Sequence, residues 1–124
     1  MVGHTRKINQ IVYGKRNEMW TCSDDGSVRV WDTESYQCKH VLNIKAGAAR
    51  CMAVDDNGVW VGFLGNCVVR YSIHTYIPLQ EVGTTSSVQC LRYVIGQLWI
   101  GLAGHQMLIY TLPSHPSEDT SSSI

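Results

Sequence analysis

The sequence predicts an all-β fold of about three repeated, four-stranded antiparallel sheets. Two observations carry this. Tryptophan recurs at Trp20, Trp60 and Trp99, 40 and 39 residues apart, and each opens a similar phrase. Short runs of β-branched and aromatic residues alternate with turn formers roughly every 8–12 residues, as in all-β chains. No amphipathic helix stands out; Ala46–Ala53 is too short and carries Gly47.

The repeat runs through three phrases. Met19-Trp20-Thr21-Cys22-Ser23-Asp24-Asp25-Gly26-Ser27-Val28-Arg29-Val30-Trp31 is the first. Val59 to Tyr71 and Leu98 to Tyr110 are its counterparts, each with a glycine turn, at Gly65 and Gly104, and an aromatic eleven positions after the Trp. Ile11, Cys51 and Cys90 stand nine positions before the three tryptophans, so they are expected to be equivalent. First strands are predicted near Ile8–Tyr13, Arg50–Val54 and Val88–Val94. The turns Gly14–Asn17, Asp55–Gly58 and Gly96 follow them. The second strand of each unit carries the Trp and the third leads to the aromatic. Gln37–Leu42 and Ile77–Val82 are fourth strands, giving eleven in all. A period near 40 with four strands per unit is that of a β-propeller blade. The expected architecture is therefore a partial β-propeller, an open arc of a larger ring. Its units are 1–42, 43–82 and 83–112, the last lacking a clear outer strand.

The first unit opens with Gly3-His4, continues through Cys22-Ser23-Asp24-Asp25-Gly26-Ser27-Val28-Arg29-Val30 and closes on Trp31-Asp32. Over residues 3–42 the chain resembles WD-repeat propellers; over 43–112 the likeness is degenerate. The resemblance implies a buried network joining His4, Ser23, Asp25 and Trp31. Such a network is reasonable, because a buried carboxylate is costly unless donors surround it. Units two and three replace Ser23 and Asp25 with Phe63 and Gly65, then Leu102 and Gly104. Apolar packing around Trp60 and Trp99 is expected to hold them instead.

Composition narrows the function. Ten basic and ten acidic side chains cancel, which removes the simplest case for nucleic acid or an anionic membrane. No apolar run nears the roughly 20 residues of a membrane-spanning helix. Met1 to Gln10 has no signal-peptide apolar region, so a cytoplasmic location is expected. Cys22, Cys38, Cys51, Cys67 and Cys90 are odd in number and form no Cys-x-x-Cys pair. They read as buried or half-buried free thiols in a reducing compartment.

Catalytic chemistry finds little support. No phosphate loop, dinucleotide fingerprint or His-Glu-x-x-His motif is present, and the five histidines lack ligand spacing, so no cofactor or metal is expected. Asp24-Asp25 and Asp55-Asp56 precede glycine or lie in hairpin connections, where Asp serves the turn. The Ser, His and Asp of unit one do not suggest a hydrolase, which needs an exposed Ser and an oxyanion hole.

The resemblance implies a non-catalytic protein-interaction scaffold, drawn from a larger signalling or trafficking protein. The residue before the network Asp faces the top of such rings. That nominates Asp24, with Leu64 and Ala103 at the equivalents, and the turn after Gly3-His4 adds Arg6 and Lys7. The rival is a part-ring that self-associates to complete a propeller through its open edges. A catalytic or ligand-binding propeller is the third reading and lacks an inward polar set. The tail, 113–124, is Ser-rich and expected to be disordered. Its end, Ser122-Ser123-Ile124, fits the Ser/Thr-x-apolar pattern of PDZ-domain ligands.

Overall fold

A computed structural model describes residues 3–43 and 47–112. Ser122 and Ile124 of the PDZ-ligand pattern lie outside the described residues. The described chain is all-β, with eleven strands in three antiparallel sheets that do not close on one another. The first sheet comprises β1 (Ile8–Tyr13), β2 (Glu18–Ser23), β3 (Ser27–Asp32) and β4 (Cys38–Asn43) in sequence order. The second comprises β5 (Ala49–Val54), β6 (Gly58–Phe63), β7 (Cys67–Ser72) and β8 (Pro78–Gly83). In the third, β9 (Val88–Val94), β10 (Gln97–Leu102) and β11 (Met107–Thr111) pair in order.

The sheets stack face to face, with β1, β5 and β9 running side by side along the inner edge. Trp20, Cys22, Val28 and Val30 of sheet one bury against Met52, Val59, Val61 and Val69 of sheet two. The opposite face of sheet two, with Cys51, Ala53, Trp60 and Val68, buries against Val88, Leu91, Leu98 and Ile100 of sheet three. Polar side chains on the inner strands bridge neighbours. Asn9 donates to the Ala49 carbonyl at 2.7 Å, and the Met52 amide donates to Gln10 at 2.8 Å.

The strand register corrects one expected equivalence. Ile11 pairs with Thr21, whereas Met52 pairs with Val61 and Leu91 with Ile100. Counted from the tryptophans, Thr21, Val61 and Ile100 occupy one position, so Ile11 matches Met52 and Leu91 rather than Cys51 and Cys90. The cause is the β1–β2 turn, which has one residue more than its counterpart. Lys15, Arg16 and Asn17 absorb it in three successive left-handed conformations, at φ 76°, 56° and 60°. Such a run is uncommon for residues other than glycine.

Cys22, Cys51 and Cys67 are buried and Cys38 is half-buried. Cys90 departs from the expected burial: it is exposed, because among the described residues no sheet covers its face of β9. Trp99 departs likewise. It is 36% exposed where Trp60 is fully buried, so it does not anchor a core in sheet three.

Close stacking requires Gly62. A Cβ there would lie 2.5 Å from Val88 Cγ1 and 2.8 Å from Cys51 Sγ, whereas one at Gly83 would meet nothing within 4 Å. Gly62→Ala should therefore destabilise by about 1–3 kcal/mol through overpacking, and Gly83→Ala should be nearly neutral, as read by urea-unfolding midpoints. Burial pushes the Cys22 and Cys51 thiols up to about 12. A thiol reagent at neutral pH should label Cys90 in the native protein, and Cys22 and Cys51 only after unfolding.

Candidate functional site, a rim of clasped turns

On one rim, each sheet presents the turn between its second and third strands. The same hydrogen bond fixes all three turns. Asp24 N donates to Lys7 O at 2.9 Å, Leu64 N to Ala48 O at 3.0 Å, and Ala103 N to Ser87 O at 2.9 Å. In each case the acceptor lies in the segment entering that sheet. The turns also touch across sheets. The Gly47 carbonyl lies 3.3 Å from a Cβ placed on Gly26, and Leu64 Cβ lies 3.8 Å from one placed on Gly47. Ser87 Oγ donates to the Leu64 carbonyl at 3.3 Å. The rim therefore forms a belt through Lys7, Asp24, Gly47, Leu64, Ser87 and Ala103. Arg6 and Lys7 are exposed on it, as is Leu64. Asp24 is half-buried, and its carboxylate accepts a 2.8 Å hydrogen bond from Asn9.

Beneath the first turn lies a polar chain. Trp31 Nε1 donates to Thr21 Oγ1 at 2.9 Å, and Thr21 Oγ1 lies 2.6 Å from His4 Nε2. His4 Nδ1 lies 3.1 Å from Asp25 Oδ2. Since the Asp25 carboxylate can only accept, His4 Nδ1 is the donor to it, and Nε2 then accepts from the Thr21 hydroxyl, which itself accepts from the indole. The ring is thereby assigned the Nδ1–H tautomer, donating to Asp25. Asp25 accepts further from the Thr5 amide at 3.0 Å, the Ser27 amide at 2.8 Å and the Ser27 hydroxyl at 2.6 Å. Burial works against its charge, but these donors outweigh it and hold the carboxyl well below the usual carboxylate range.

The hydroxyl between His4 and Trp31 is thus that of Thr21, not of Ser23 as the resemblance implied. Register explains the difference, since Trp31 pairs with Met19 and Thr21 is the next residue along that face. Thr21 and Ser23 share a face of β2, and Thr21 is the one in reach of the indole. Ser23 instead accepts from the Asp25 amide at 3.0 Å and donates to the Arg6 carbonyl at 3.2 Å, tying the turn to the entering segment.

Sheet two holds a polar cluster that the sequence reading assigned to a plain turn. Asp55 is 4% exposed and accepts five hydrogen bonds. Two come from the Asn57 and Gly58 amides, one from Trp60 Nε1 at 2.6 Å, and two from Arg70 at 2.8 and 2.9 Å. The Arg70 guanidinium also lies 5.7 Å from the Trp60 ring centre. Burial alone would raise the Asp55 pKa. The Arg70 bonds, the turn amides and the indole reverse this and hold it below the usual value. The signal was cryptic: Arg70 follows Asp55 by fifteen positions and is adjacent only once β7 pairs with β6.

On the opposite rim, Glu18 is buried and bound by Lys39 Nζ at 2.6 Å and by the Tyr76 hydroxyl of sheet two. The Tyr76 ring stacks 4.0 Å from His40. These contacts hold sheets one and two together on that side. Among the described residues, no group of His, Cys, Asp and Glu is arranged to hold a metal ion, and no helix is long and apolar enough to cross a membrane.

No protein-family profile matches the chain. It is 28% identical over 122 residues to zinc finger CCCH domain-containing protein 62 of Arabidopsis thaliana, covering 94% of this chain and 28% of that protein. It is 31% identical over 75 residues to the WD repeat-containing protein 89 homolog of Dictyostelium discoideum, covering 59% of this chain and 20% of that protein. The chain thus spans about a quarter of the length of these relatives. Among solved structures, the computationally designed Ika4 protein superposes with a TM-score of 0.80 at 21% identity, covering 90% of this chain and 69% of that one. This likeness supports the fold alone. The WD-repeat resemblance is consistent with a partial relative.

Asp25 and Asp55 have depressed pKa values in the folded state, so their stabilisation is present above the unfolded value near 3.9 and lost as pH falls through the folded one. Unfolding free energy should hold near neutral pH and drop below about pH 4 in an acid titration followed by circular dichroism. Asp55→Asn should cost about 3 kcal/mol at neutral pH and make the acid limb shallower.

Proposed function

We propose that the chain is a WD-repeat-like propeller segment that serves, without catalysis, as a protein-interaction module of a larger cytoplasmic signalling or trafficking protein. Its clasped rim receives a protein or peptide through Arg6, Lys7, Asp24 and Leu64. The observation that carries this reading is the repeated clasp at Asp24, Leu64 and Ala103. Three turns of different sequence stand on equivalent hydrogen bonds, so their side chains can vary while their backbones stay put. Rigidly mounted loops of this kind make recognition surfaces, because little conformational entropy is lost on binding. The rim offers two cations, a fixed carboxylate and one apolar side chain, a mixture suited to a polar peptide with an apolar anchor. The partial WD-repeat relative and the greater length of the relatives support the same reading.

Peptides selected from a random display library on the whole chain provide the test. Arg6→Glu combined with Asp24→Lys should weaken the selected peptides at least about tenfold, the weight of 1.4 kcal/mol. The thermal midpoint should fall by only a few degrees, about the weight of the lost Asn9–Asp24 hydrogen bond. Affinity indifferent to that pair of changes would remove the rim as the binding face.

A further inference from the structure

Each inner strand carries a β-bulge at the same place. Ile8 pairs with Ser23 and Gln10 with Cys22, so Asn9 is the extra residue of β1. Arg50 stands likewise between Ala49, paired with Phe63, and Cys51, paired with Gly62. Gln89 stands between Val88, paired with Leu102, and Cys90, paired with Gly101. The extra residue follows each clasp acceptor, Lys7, Ala48 and Ser87, by two positions. Three polar side chains are thereby carried in a row just inside the clasped rim. A bulge re-aims side chains in this way and is over-represented beside functional sites.

The row is linked sideways, and its members differ in what they have left to offer. Asn9 Nδ2 donates both to Asp24 and to the Ala49 carbonyl. Arg50 Nη2 donates to Gln89 Oε1 at 3.4 Å. Among the described residues, the rest of the Arg50 guanidinium and the Gln89 amide nitrogen have no hydrogen-bond partner, and no carboxylate forms an ion pair with Arg50. Arg50 is half-buried and Gln89 exposed. β5 has β1 on one side and β9 on the other, so Arg50 already has both of its neighbours.

The surroundings of Arg50 are free of acid. The rim of sheets two and three is built from residues 47–50, 64–66, 84–89 and 103–106, which include no Asp or Glu. The carboxylates of these sheets are Asp55 and Asp56 in the β5–β6 turn and Glu81 on the outer strand β8. Leu64 is 37% exposed, and its amide is clasped to Ala48, two residues from Arg50.

We propose that Arg50, with Gln89 beside it and Leu64 on the adjoining turn, binds an acidic peptide segment in which an Asp or Glu lies next to an apolar residue. The guanidinium takes the carboxylate through paired, charge-assisted hydrogen bonds, Gln89 adds a neutral donor, and Leu64 meets the apolar neighbour. Charge complementarity is the argument for an acidic occupant: an unpaired cation on an acid-free stretch of rim attracts carboxylates and repels basic segments. The inference rests on the rim reading and deepens it, moving the centre of recognition from Arg6, Lys7 and Asp24 to sheet two.

Peptides selected on the whole chain from a random display library should be enriched in Asp or Glu next to an apolar residue. Arg50→Gln should weaken the tightest of them at least about tenfold in fluorescence-anisotropy titrations. Lys15→Gln, at an exposed position on the opposite rim, should leave affinity unchanged. Arg50→Glu, used as the bait, should select Lys or Arg in place of Asp or Glu. Circular dichroism of each variant should match the wild type, since Arg50 makes a single long hydrogen bond. Selected peptides without acid enrichment, or acidic ones indifferent to Arg50→Gln, overturn the proposal. If those peptides still weaken with Arg6→Glu and Asp24→Lys, the rim reading stands without it. A library that yields no peptide on the whole chain removes both.

Discussion

A β-sheet has two faces, and in water each apolar face needs a cover. Here the covers are other sheets, and among the described residues only the middle one is covered on both sides. All six residues of β6 are buried, with Val59, Val61 and Phe63 turned to sheet one and Trp60 to sheet three. Its sequence is accordingly a nearly continuous apolar run rather than an alternating one. The small side of that constraint is Gly62, where Val88 and Cys51 approach too closely for any side chain. The outer strands β4 and β8 lend Leu42 and Val82 to these cores and are otherwise mostly exposed.

The same constraint explains why the polar chain sits in sheet one. Thr21 and Trp31 occupy positions held in sheet two by Val61 and Tyr71, which bury against a neighbour. No sheet covers that face of sheet one among the described residues. Hydrogen bonding through His4 supplies locally the order that packing supplies next door, and Gly3 lies against the Trp31 ring, 2.8 Å from it when extended by a Cβ. Sheet two meets its own polar need at the opposite end. There Asp55 takes the Trp60 indole N–H, while Trp20, in the corresponding place, lies over Gly14 and has no acceptor among the described residues.

The strands were legible because their signals are local. Trp spacing, alternating β-formers and turn residues place β1, β9 and most other strands within a residue of where they lie, as with β4 at Cys38–Asn43 against an expected start at Gln37. What escaped was non-local. An extra residue in the turn 15–17 shifts Ile11 against the tryptophan without disturbing its composition. The choice of Thr21 over Ser23 depends on which hydroxyl the Trp31 ring reaches across the pleat. Asp55 looked like a turn residue and is one, since two of its bonds go to its own turn amides. The remaining three require a partner strand. Trp99 carries the same local phrase as Trp60, and its exposure follows from the absence of a fourth sheet among the described residues, which no local phrase can express.

Stacking without closure also governs how order is distributed. The arrangement is a short one-dimensional array, each unit coupled only to its neighbours. Among the described residues, sheet two carries two couplings and sheets one and three carry one each, so cooperativity within them resides in the middle. Loss of order at either end can proceed while the centre persists, whereas disorder at the centre severs every coupling at once. Sheet one resists this through its own hydrogen-bonded chain; sheet three, with three strands and a half-exposed Trp99, has less to resist it with. The arc is therefore polarised in stability along its sequence, firmest from β2 to β7 and loosest toward β11.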